Sequence, residues 1–165
     1  MLSERGYKAL EITFIIRSGL GIIAVAMNTL RAALVPGLIA GVISVFGSWL
    51  WVGVVFHRFQ KETPETWRPE GPRSYAASSL LHVFAAIAIA CLYTLMVRFS
   101  VGSFPLRTLG SARFGLCIWL ALAVPIILQT AIFVRLHRLV VLAELLDWFT
   151  TVMASSVVTA WWLAR

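Results

Sequence analysis

The chain has 165 residues, 60% of them hydrophobic and 13% charged, with a mean hydropathy of +0.89 and a net charge of +7. A water-soluble domain usually carries about a quarter charged residues, so the composition excludes an ordinary soluble enzyme. Fourteen Lys and Arg stand against seven Asp and Glu. With no basic run or aromatic-basic platform, that balance points to anionic lipid headgroups as the partner and not to nucleic acid.

In chain order, residues 1–31 come first. Residues 10–30 are apolar but interrupted by Glu11, Arg17 and Asn28, and Arg17, Gly21, Ala24, Asn28 and Arg31 recur at spacings of four and three. That is one narrow polar or small stripe on a helix. It predicts an amphipathic helix in the membrane interface with Arg17 and Arg31 at the headgroups, or else a fifth span carrying Arg17 near its middle. No small-residue cleavage motif closes the segment, which argues against a cleaved signal peptide. Met27-Asn-Thr-Leu-Arg31 also reads as a natural start just before the first span.

Four stretches approach or exceed the roughly 20 residues that cross hydrocarbon: 32–56, 76–97, 114–134 and 139–163. They predict an all-α integral membrane four-helix bundle over residues 32–165, with the segment 1–31 as an added interfacial or fifth helix. In the first span, Gly37, Gly41, Ser44 and Ser48 form a small-residue stripe that lets helices approach closely in lipid. Pro36 suits its first turn, and Trp49 and Trp51 suit an aromatic interface belt. The 57–75 loop is polar, with turns expected at Pro64, Pro69 and Pro72. The 98–113 loop holds three Arg and no acid. The four-residue connection 135–138 requires spans three and four to form a tight antiparallel hairpin. Eight Lys or Arg fall on the side of the termini and six on the other, so the termini are expected to be cytoplasmic.

Glu144 and Asp147 are the only charges within 139–163, and a carboxylate at membrane depth costs roughly 2.5–3.5 kcal/mol on the insertion scale. Counting about 1.5 Å per residue puts Glu144 and Asp147 roughly 8 and 12 Å from the side of the 57–75 loop. The same count puts His82 roughly 9 Å and Gln129 roughly 8 Å from that side. These four residues are therefore the candidates for ligand or proton binding, in one layer. Glu144, Asp147, Thr151 and Ser155 share a face of span four, while Ser78 or Ser79, His82, Ala86 and Tyr93 share one of span two. Pro125 is expected to kink span three and free the carbonyl of Ala121. The layer either fixes helix register, with Arg135, His137 or Arg138 reaching Glu144, or is a functional site opening toward the 57–75 loop.

A haem or chlorin at His82, with Ser78 as the small residue four positions earlier, is an option, but no second histidine lies within a span. The Glu-x-x-His pairs of carboxylate metal bundles are missing. No cofactor and no metal are therefore expected. Cys91 and Cys117 form no CxxC and are expected to pack in the core.

Gly47-Ser-Trp-Leu-Trp51 closes the first span, and the terminal hairpin runs from Gly115 through Trp119 and Asp147-Trp-Phe149 to Trp161-Trp162. Over residues 32–163 this resembles a family of small bacterial four-span membrane proteins catalogued only as a domain of unknown function. The resemblance implies a four-helix bundle in the bacterial cytoplasmic membrane and carries no activity or catalytic residues. Three functions follow as expectations. The leading one is association, as a homo-oligomer or as an accessory subunit of a membrane complex. The second is an oligomeric transporter or channel for protons or a small polar or cationic solute, using Glu144 and Asp147. The third is an enzyme acting on a lipid or quinone, with His82 as base and Asp147 orienting it, although no nucleophile or oxyanion donors are identifiable.

Overall fold

A computed structural model describes residues 4–67, 71–99 and 108–165, with side chains for 21–67, 71–99 and 109–165. The Arg17 side chain, the turn at Pro69 and residues 100–107 of the basic 98–113 loop lie outside the described residues. In order come α1 (Glu4–Ser48), a π-helical segment (Trp49–Val55), α2 (His57–Gln60), a 3-10 turn (Pro64–Thr66) and α3 (Pro72–Arg98). Then follow α4 (Thr108–Ile118), a second π segment (Trp119–Ala123), α5 (Val124–Phe133) and α6 (Arg138–Leu163). Four helices are long and apolar enough to cross a membrane: Gly21–Val55, Pro72–Arg98, Leu109–Phe133 and Arg138–Leu163. The fold is an all-α bundle compatible with an integral membrane protein, and no strand occurs among the described residues.

The first helix differs from expectation in two ways. No break separates residues 31 and 32, so the N-terminal segment continues the first span instead of forming a helix of its own. Pro36 accordingly lies buried inside α1, not in a first turn. Residues 21–28 are all exposed, and Thr29 is the first buried residue of the described side chains. Its hydroxyl accepts from Nη1 of Arg98, the last residue of α3, at 3.4 Å. The bundle therefore begins at Thr29, and the residues before it run past the end of α3.

Glycines set how closely the helices approach. A Cβ on Gly37 would stand 2.8 Å from the Ile87 backbone Cα, and one on Gly41 3.0 Å from that of Val83. These contacts seat α1 on α3, so the small-residue stripe is used inside the chain and is not left for a second copy. Gly47 receives the methyl of Thr150, which would lie 2.8 Å from an added Cβ. The Thr150 hydroxyl accepts from Trp51 Nε1 at 3.0 Å. Trp51 is thus tied to α6, whereas Trp49 faces outward as a belt residue would.

At the end of the bundle nearer Arg98, an aromatic cluster sits among buried Ser and Thr. Tyr93, Phe114 and Ala160 pack together, with the Tyr93 and Phe114 rings edge-on at 5.2 Å. Span three is the least embedded, with nothing buried in its most apolar window. Its π segment immediately precedes Pro125, whose missing N–H and ring clash forbid an ordinary turn there, and the wider turn supplies the room. Trp119 anchors this segment by donating from Nε1 to the Leu145 carbonyl at 2.9 Å and packing edge-on against Phe149. Cys117 is exposed on this outer span, so only Cys91, which is half-buried, has any packing role.

Candidate functional site

α6 starts from a cap that also draws in the 57–75 loop. His137 Nδ1 accepts from the Leu139 N–H at 3.2 Å, and its Nε2 lies 3.2 Å from Glu62 Oε2. An accepting Nδ1 assigns the hydrogen to Nε2, which donates to Glu62. The Phe59 ring stacks on His137 at 5.0 Å, and the Thr66 hydroxyl donates to the Arg135 carbonyl. The polar loop is thereby folded over the turn between spans three and four. His137, once a candidate partner for Glu144, is committed to Glu62 instead.

Beyond this cap, α3 and α6 each carry one site residue about a third of the way along, roughly 14–15 Å from the helix start. His82 Nε2 lies 3.0 Å from Asp147 Oδ2, and its Nδ1 lies 2.9 Å from the Ser78 carbonyl. A carbonyl oxygen only accepts, so Nδ1 carries a hydrogen. The Nε2–Oδ2 contact needs one more, held by the ring or by the carboxyl. Either way the pair is neutral and binds a single proton between its atoms, which is how two ionisable groups survive this depth. Ser48 of α1 donates to the same Oδ2 at 3.1 Å, and Trp148 stacks over the His82 ring at 5.7 Å. Three helices thus converge on one carboxylate oxygen. The other oxygen, Oδ1, is buried with no hydrogen-bond partner among the described residues, and so is the hydroxyl of Thr151 one turn later.

Glu144 lies one turn nearer the loop side on the same face, half-buried. Among the described residues it makes no ion pair; neither Arg135 nor Arg138 reaches it. Gln129 departs from expectation. It counts to the same layer from the sequence, but it lies only about 6 Å inside the end of α5, shallower than the pair, and is exposed on the outer face. Depth fixes only distance along the membrane normal. The π segment inserts about one residue, which turns everything after it by roughly 100°. Ser44 bonds back to its own helix at Ala40, while Ser48 serves as a donor in the site as well as packing. Ser48 was legible by the same depth count, being about as far below the loop side as Asp147, but serine in a small-residue stripe reads first as packing.

The arrangement limits the chemistry. With both ring nitrogens engaged, His82 has no free lone pair for a haem or chlorin iron or magnesium unless it leaves Asp147, and Ser78 meets it through a carbonyl and not as a small side chain. The same engagement argues against a general base poised for a lipid or quinone, which would need one nitrogen facing substrate. No group of three or more His, Cys, Asp or Glu suited to a metal ion occurs among the described residues. What the cluster can do is hold one proton, lose it or pass it on. No family model, curated protein or solved structure matches the chain.

Proposed function

We propose that this chain is a small integral membrane protein that binds and transfers protons at its buried His82–Asp147 pair, with Glu144 as the entry group on the side of the 57–75 loop. The observation that carries the reading is the 3.0 Å contact between Nε2 and Oδ2, inside a bundle of apolar helices. Glu144 supports it. It is a half-buried carboxylate with no ion pair among the described residues, one turn closer to the surface, and intramembrane ionisable groups are costly unless used. Proton arrival converts its carboxylate to a carboxyl, which returns the proton to the deeper pair. The excess of Lys and Arg on the side of the termini, with the resemblance to bacterial four-span proteins, favours the cytoplasmic membrane with both termini inside.

The test is flux. In proteoliposomes bearing a pH gradient, Glu144→Gln and Asp147→Asn should each abolish protein-dependent proton movement while the helical content stays unchanged. Wild-type flux in both variants would sink the proposal.

A second reading, self-association, rests on Gln129. An exposed amide about 6 Å inside the end of α5 has both donors and an acceptor, and two copies can satisfy each other reciprocally. Gln129→Cys in a cysteine-free background should then form a disulfide-linked dimer in membranes, and Gln129→Leu should shift the wild-type protein toward monomer on native gels. A monomeric wild-type protein in mild detergent and in membranes alike argues against it.

A further inference from the structure

Five hydroxyl side chains follow Asp147 on α6, and four turn back to their own helix. Thr150 donates to the Leu146 carbonyl at 2.8 Å, Ser155 to Thr151 at 2.6 Å, Ser156 to Val152 at 2.8 Å and Thr159 to Ser155 at 2.6 Å. Thr151 does not, although the carbonyl of Asp147 stands at the equivalent position. It is fully buried, and its hydroxyl has no partner among the described residues. One turn away, Asp147, 2% exposed, presents Oδ1 in the same condition. Two orphaned polar atoms on adjacent turns of one helix face would each cost free energy comparable to a lost hydrogen bond. Side chains four apart stand about 5–6 Å from one another at Cβ, a gap one bridging water spans.

We infer that Asp147 Oδ1 and Thr151 Oγ1 together hold one buried water molecule, which accepts the proton from the His82–Asp147 pair on the side away from Glu144. The inference rests on the proton-transfer reading above and extends it. Glu144 lies one turn to the loop side of Asp147 and His82 stands level with it, so a proton that crosses needs an acceptor beyond the pair. Oδ2 is occupied by His82 and Ser48, leaving Oδ1 as the exit. The water donates to Oδ1 and either accepts from or donates to the Thr151 hydroxyl. When Asp147 carries the proton on Oδ1, the O–H bond breaks toward the water, giving carboxylate and hydronium, and charge is conserved. Thr151 is a positioning residue here, since it fixes the water and does not itself exchange the proton.

The experiment compares wild type, Thr151→Ser, Thr151→Val and Asp147→Asn in proteoliposomes, with proton flux measured beside infrared spectra of the buried-water O–D stretch in deuterated buffer. The valine is isosteric and lacks only the hydroxyl. It is expected to lose the water band and slow flux about tenfold, the effect of one hydrogen bond removed from the path. The serine should keep both. A retained band, or unchanged flux, in Thr151→Val overturns the inference even while Asp147→Asn is inactive. Flux that survives Asp147→Asn overturns the carrier reading instead, and the band then judges the water site alone.

Discussion

Asp147→Ala is expected to destabilise the bundle by about 3–5 kcal/mol, the penalty for removing one member of a buried pair and stranding the other. Two groups lose their partner at once, the His82 ring at 3.0 Å and the Ser48 hydroxyl at 3.1 Å. The His82 ring cannot turn to water, since it is 7% exposed and the helices around it are apolar. Asp147→Asn should lose less, because its amide oxygen still accepts from Ser48. Unfolding in mixed micelles, followed by tryptophan fluorescence, reads the difference directly, as Trp148 stacks on His82. The double variant His82→Phe/Asp147→Ala should recover part of the loss, because the stranded ring is gone, and the non-additivity gives the coupling energy of the pair. A single Asp147→Ala variant as stable as wild type would mean that the pair contributes nothing to holding the helices together.

Gly37→Ala is expected to cost about 1–3 kcal/mol, a large effect for one methyl group. Its new Cβ would meet the backbone of Ile87 at 2.8 Å, and a backbone atom has no rotamer to escape into. The only relief is for α1 and α3 to move apart, which weakens the packing along the whole seam, including the approach of Ser48 to Asp147. Gly37→Leu should be worse and disturb the site itself. The control is Gly21→Ala. An added Cβ there meets nothing within 4 Å, so the change should be neutral or slightly stabilising through helix propensity. Gly47→Ala falls between them, since it meets a side-chain methyl of Thr150 and not backbone. Equal stability of the Gly37 and Gly21 variants would remove the argument that this glycine sets the helix separation.

The two predictions bear on each other. Gly37 and Gly41 bring α1 against α3, and Ser48 farther along α1 then reaches the carboxylate that α6 supplies. A packing change about three turns away is therefore expected to alter proton transfer through distance alone. Gly37→Leu should lose stability and flux together, whereas Glu144→Gln should lose flux with stability intact.

How much was legible before the structure is best seen in particular residues. Hydrocarbon has a set thickness and cannot satisfy backbone groups, so length and apolarity alone determined that the chain is a bundle with four helices long and apolar enough to span a membrane. Alternation of spans determined depth, and with it the meeting of His82 and Asp147. The helical period placed Glu144 and Thr151 on the face of Asp147. Azimuth was another matter. Gln129 points in the wrong direction, because a π segment before Pro125 rotates the helix after it, and no residue type announces a π turn. Which glycine meets which backbone, and which hydroxyl leaves its own helix, likewise depend on how neighbouring helices interdigitate. Sequence by itself thus determined the architecture and the layer in which the polar groups lie. The tertiary structure alone decided that Ser48 completes the His82–Asp147 pair, that Glu144 makes no ion pair among the described residues, and that Gln129 faces outward, since contact requires two helices to agree on rotation as well as height.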